Sequence, residues 1–257
     1  MLRTPQQLAA APAAPPAAPP ASSNQREVTL ISLGGAATDP LLRRVSTELD
    51  SAVDAVESFW GTDWSHEILV VATGTDAEFV EQAAGVVDTA HIAAVTVADD
   101  VNTAEGTVSG QRIVFAPGAV TMTPAALRIV FTHELFHYAA RAQTAPDAPR
   151  WLTEGVADFV ARPPVPAGRR QPLPLALPSD ADFAVAEPQL SQAYDRAWWF
   201  ARFIAERYGV AALRSLYVRV AGPGHTDTPT ALREVLGVDE PGLLAGWRDW
   251  LIRNGLA

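Results

Sequence analysis

The chain of 257 residues contains neither cysteine nor lysine. Without cysteine there is no disulfide framework, no thiolate metal site and no cysteine nucleophile, so any metal must be held by nitrogen and oxygen. Without lysine, all strong positive charge is arginine, and the composition points to a GC-rich genome. Nineteen basic residues face 29 acidic ones, a formal net charge of −10. The arginines are scattered rather than gathered into a stripe, and the net field repels phosphate, which argues against a nucleic-acid partner. No stretch approaches the roughly 18 apolar residues of a membrane helix, and residues 1–25 lack the uninterrupted apolar segment of a signal peptide. Histidine is scarce, with five in the chain, so their placement carries information.

What is present begins with a hydrophobic content of 48%, enough to bury a substantial core. One domain of two lobes is expected. Residues 1–25 are rich in alanine and proline and read as a disordered linker or tail. Residues 26–257 read as the folded domain: a sheet lobe at 26–145, closed by a long helix, and a helical lobe at 146–257. The strand candidates are Val28–Leu33, Ile68–Val71, Ala93–Val97 and Arg112–Phe115. Helices are expected from Asp39 to about Trp60 and over Thr75–Ala84. Arg162–Pro188 is proline-rich and reads either as a connecting loop or as a wall over a cleft. Beyond it, Leu190, Tyr194, Trp198, Ala201, Ile204, Ala205 and Tyr208 form a stripe of helical period ended by Gly209.

The chemistry concentrates at His133-Glu134-Leu135-Phe136-His137. Thr123-Pro124 reads as an N-cap with proline in the first helical position, and no glycine or proline follows before Pro146. In a helix over 124–142 the two histidines are one turn apart on one face, a spacing that lets both imidazoles bind one ion. Leu127, Val130, Phe131, Leu135 and Tyr138 form an apolar stripe that buries this helix. A glutamate between two histidines on a buried helix is costly unless a metal site explains it. A catalytic zinc ion takes three protein ligands and keeps a fourth position open. The metzincin extension would need glycine at 140 and histidine at 143, whereas the chain has Ala140 and Gln143. Glu154 is the better third ligand. It lies in a second helical segment, about Pro149–Val160, where Glu154 and Asp158 are four apart and share a face, so one acid can bind metal while the other braces a ligand. Gly155 is expected to let the two helices approach closely. His66 and His91 have no such pattern.

HELFH followed by Trp151-Leu152-Thr153-Glu154-Gly155-Val156-Ala157-Asp158-Phe159 resembles the gluzincin zinc metallopeptidases, in particular the bacterial peptidase MA-like families. The resemblance implies an α+β, zincin-like fold, with an N-terminal mixed sheet on the HExxH helix and a mainly helical C-terminal lobe. It implies one Zn2+ per chain held by His133, His137 and Glu154, Glu134 as general base, and Asp158 orienting a ligating histidine. A peptide or protein substrate would lie along a sheet edge, for which Gln111–Ala116 is the candidate. Tyr194 and His225 are candidates for stabilising the oxyanion. The resemblance also favours an extracytoplasmic or envelope-tethered setting, with a membrane anchor or further domain upstream. The alternative is an inactive domain of the same fold serving as a binding or envelope-assembly module.

Overall fold

The computed structural model describes residues 21–23, 26–84, 92–163, 173–185 and 189–256. His91 and most of the span read as a tail lie outside the described residues, as do parts of the proline-rich stretch. The fold is α+β, with a mixed sheet and a majority of helix. Strand β1 (Ala21–Ser23) falls within the span read as a tail and pairs antiparallel with β2 (Arg26–Ser32). Helix α1 (Asp39–Trp60) follows, then β3 (Glu67–Ala72) and α2 (Asp76–Gln82). Next come β4 (Ala94–Val97), the short hairpin strands β5 (Asp100–Asn102) and β6 (Thr107–Ser109), and β7 (Arg112–Phe115).

The main sheet has the order β1-β2-β3-β7-β4, with β2, β3 and β7 parallel and β4 antiparallel to β7. This corrects one expectation. The segment Gln111–Ala116 is not an edge, because β7 is paired on both sides; among the described residues β4 is the edge at that end of the sheet. Sequence alternation sorts the two faces. Val28, Ile68, Val70, Ala72, Ile113 and Phe115 point into the main core, while Val114 packs with Phe79 and Ala83 of the α2 region in a smaller cluster.

Helix α3 (Pro124–Ala140) packs on α1, on β4 and on α4 (Arg150–Ala161). Then come α5 (Gln189–Tyr208), α6 (Val210–Ala221), the short α7 (Thr228–Ala231) and α8 (Glu240–Arg253). Each start has a local cause. The Thr123 hydroxyl accepts from Ala126 N–H at 3.2 Å, and Asp239 caps α8 by accepting from Gly242 N–H at 2.9 Å. Aromatic rings seal the base of α3: Phe136 meets Phe59, Trp60 and Tyr217 edge-on, with centroids 5.6–5.8 Å apart. Among the described residues no helix is long and apolar enough to cross a membrane.

Gly155 does mark a close helix approach, but its partner is α5 rather than α3. A Cβ at this position would lie 2.6 Å from the Ala197 carbonyl oxygen. That contact brings the middle of α5 over the middle of α4.

Candidate metal centre

The cap at Thr123 fixes the register of α3, and the apolar residues Leu127, Phe131 and Leu135 turn that register into an orientation by burying fully. His133 and His137 are left on the face toward α4. Their Nε2 atoms lie 3.1 Å apart, and Glu154 Oε2 is 3.2 Å from the first and 3.5 Å from the second. A tetrahedral ion with bonds of about 2.0–2.1 Å keeps its ligand atoms roughly 3.3–3.4 Å apart. The three separations therefore suit one small ion, and the His133, His137 and Glu154 group could hold a metal.

The electrostatics call for a cation at the same point. Burial works against a charge on His133, but hydrogen bonds with Asp158 and Glu154 and the field of Glu134 outweigh it, so its pKa stands well above that of a free imidazole. Burial alone would raise the pKa of Glu154, yet the two imidazoles hold it far below the usual carboxylate range. A proton on His133 serves here as the positive charge that a metal would replace.

Around the donors, the other predicted residues fall as follows. Asp158 is buried and its Oδ1 faces His133 Nδ1 at 2.9 Å, an arrangement that leaves His133 Nε2 pointing at the ion position. Glu134 is 9% exposed. Its Oε2 accepts a hydrogen bond of 2.8 Å from the Thr96 hydroxyl, which lies at the same distance from the Glu134 backbone carbonyl. Edge strand β4 is thereby fastened to the residue between the histidines. Arg141, one turn beyond His137, donates to the Thr96 carbonyl and feels the charges of Glu134 and Glu154.

Tyr194 lies on α5 with its ring edge-on to Phe183 at 5.2 Å. Arg150 donates to its hydroxyl oxygen at 3.1 Å, and Arg150 Nε is 3.9 Å from Glu154 Oε1. Burial, and then the negative charge of Glu154, push the phenol up to about 12, with Arg150 pulling the other way. Because arginine only donates, the phenolic oxygen accepts in this bond and its own proton is free for another acceptor. His225 is placed differently. It lies in the loop after α6, where its Nε2 meets Asp147 of the α3–α4 connection at 3.2 Å, and no described contact joins it to the three donors.

Compared with protein-family models, with curated proteins and with solved structures, the chain finds no significant match in any of the three.

Three residues in this arrangement escaped the sequence reading. Arg150 and Arg162 had a signal, since each is four residues from an acid of the second motif and each forms an ion pair with it. Thr96 had none, being 38 residues from Glu134.

Proposed function

We propose that this protein is a zinc-dependent peptidase of the gluzincin kind, with a zincin-like fold and one zinc ion per chain. The observation that carries the reading is the convergence of two imidazole nitrogens and one carboxylate oxygen within 3.5 Å, with Glu134 next to His133 in the chain and its charge acting on that imidazole. Two nitrogens and one oxygen are a donor set suited to zinc and poorly suited to magnesium or calcium, which prefer oxygen. When bound, zinc would lower the pKa of water and polarise a peptide carbonyl.

The remaining work belongs to the chain. Glu134, restrained on one oxygen by Thr96, takes a proton from water and delivers it to the leaving amine. Asp158 accepts from His133 Nδ1 and keeps the ring aimed. Tyr194, a neutral phenol throughout the physiological range, donates its proton toward the developing oxyanion. The strand facing this chemistry is β4, so an extended peptide is best accommodated along that edge. The resemblance also favours a location outside the cytoplasm or in the cell envelope.

The test is metal analysis joined to cleavage of a mixed peptide library. Protein purified without added zinc should carry about one zinc per chain. Glu134→Gln should keep that zinc and lose cleavage by about 10²–10⁴-fold. Absence of metal would sink the site. Zinc-loaded wild type that cut no peptide would instead support a binding or envelope-assembly module.

A further inference from the structure

The second acid of the WLTEGVAD motif has a partner on each side. Asp158 is 4% exposed; its Oδ1 faces His133 Nδ1 at 2.9 Å and its Oδ2 faces Arg162 Nη2 at 2.6 Å. The second contact is an ion pair rather than an aligned hydrogen bond, and Oδ2 has no hydrogen-bond partner among the described residues. A buried carboxylate oxygen without compensation is costly, so the guanidinium charge is what keeps this carboxylate in place. Arg162 does not end there. Its Nη1 meets Asp195 Oδ1 at 2.6 Å, and its guanidinium carbon lies 4.9 Å from the centre of the Trp198 ring. A planar fork can grip two carboxylates and lie over an aromatic face at once, which a point charge cannot do.

We propose that Arg162 is a positioning residue of the metal centre, the link through which α5 sets the orientation of the His133 imidazole. The inference rests on the reading of His133, His137 and Glu154 as metal ligands. The chain of contacts runs from His133 on α3, through Asp158 and Arg162 on or just beyond α4, to Asp195 on α5. Asp195 is the neighbour of Tyr194, so the helix that carries the phenol also braces the ring that holds the ion. A merely structural ion pair would add stability without changing how tightly the metal is held. A link in the orienting chain changes both.

The experiment measures zinc affinity of the full chain by competition with a chromophoric chelator, and records the visible spectrum of the cobalt-substituted protein. Arg162→Met is expected to weaken zinc binding by about 10–100-fold and to shift the cobalt bands. Arg162→Lys should recover part of the loss, because it restores one charge but not the fork. Asp195→Asn should show a smaller loss of the same kind. As a control, Arg196→Met removes a pair with Asp182 at 2.8 Å near the same end of α5 and should lower Tm while leaving zinc affinity unchanged.

Wild-type affinity and spectrum in Arg162→Met would overturn the proposal, as would an equal loss in Arg196→Met. If Arg162→Met does not fold, Arg162→Lys and Asp195→Asn carry the test, and wild-type affinity in both would overturn it. A wild type that binds no zinc would remove the metal reading itself, and this inference with it.

Discussion

Helix α3 holds His133 and His137 among the fully buried side chains Phe131, Leu135 and Phe136, whereas α4 holds Glu154 and Asp158 between two arginines, Arg150 and Arg162. Packing fixes the helix that carries the nitrogen donors, whereas ion pairs hold the carboxylates, Glu154 as the oxygen donor and Asp158 as the acid that orients His133. The difference follows from the donors themselves. An imidazole is compact and tolerates an apolar wall, while a desolvated carboxylate needs a positive neighbour in each state the site adopts. The comparison also shows why the two helices carry such different sequences. Apart from its histidines and Glu134, α3 has only Arg128 as a charged residue, whereas the shorter α4 carries Arg150, Glu154 and Asp158 among its apolar residues.

Four substitutions or conditions would break or sharpen that contrast. The largest effect is expected from His137→Ala, which removes a donor outright and should weaken zinc by about a thousandfold, measured by chelator competition. Leu135→Ala should strike packing alone. It removes a fully buried side chain and should cost about 2–5 kcal/mol in urea unfolding, with zinc affinity of the folded protein changed by less than a few-fold. A large loss of zinc affinity there would show that α3 positions its donors less rigidly than its packing implies.

Gly155→Ala addresses α4. The added methyl meets the Ala197 backbone, and the strain should outweigh the better helix propensity, for a net cost of about 1–3 kcal/mol. Urea unfolding reads the cost, and a stabilised protein would contradict the close approach of α4 and α5.

The smallest effect is on pH dependence in the metal-free protein. Glu154 has a lowered pKa, so its contribution is present above the free value of 4.5 and is lost as pH falls. His133 has a raised pKa, so its contribution is full below the free value of 6.5 and is lost as pH rises. Stability should therefore peak between these two values, then decline by up to about 1.4 kcal/mol per pH unit while His133 loses its proton. Zinc-loaded protein should lack the alkaline decline, since the ion takes the place of that proton. Tm measured across pH 4–9 with and without zinc tests this.

Much of this arrangement was legible in the sequence because it is local. A threonine cap, a proline and an apolar stripe define α3 without reference to anything distant, and the two acids of α4 share a face through helical spacing alone. What was not legible depends on chain segments meeting across long separations. Strand order is one case: β7 is inserted between β3 and β4 by the way the crossovers pack, and nothing within Arg112–Phe115 marks it as internal rather than edge. The three-residue strands β1, β5 and β6 are too short to show alternation. Gly155 was legible as a point of close approach, but its partner was not, because a missing side chain does not name the surface it makes room for. Thr96 is an ordinary strand threonine until folding brings it to Glu134.

The short span between the first and last donors bears on the order of events during folding. His133 and Glu154 belong to neighbouring helices joined by a brief connection, whereas the sheet must bring together residues as distant as Val70 and Ile113. Closing the shorter loop costs less chain entropy. The α3–α4 hairpin can thus gather an ion before the sheet is complete, and zinc added at the start of refolding should speed the appearance of structure more than zinc added at the end.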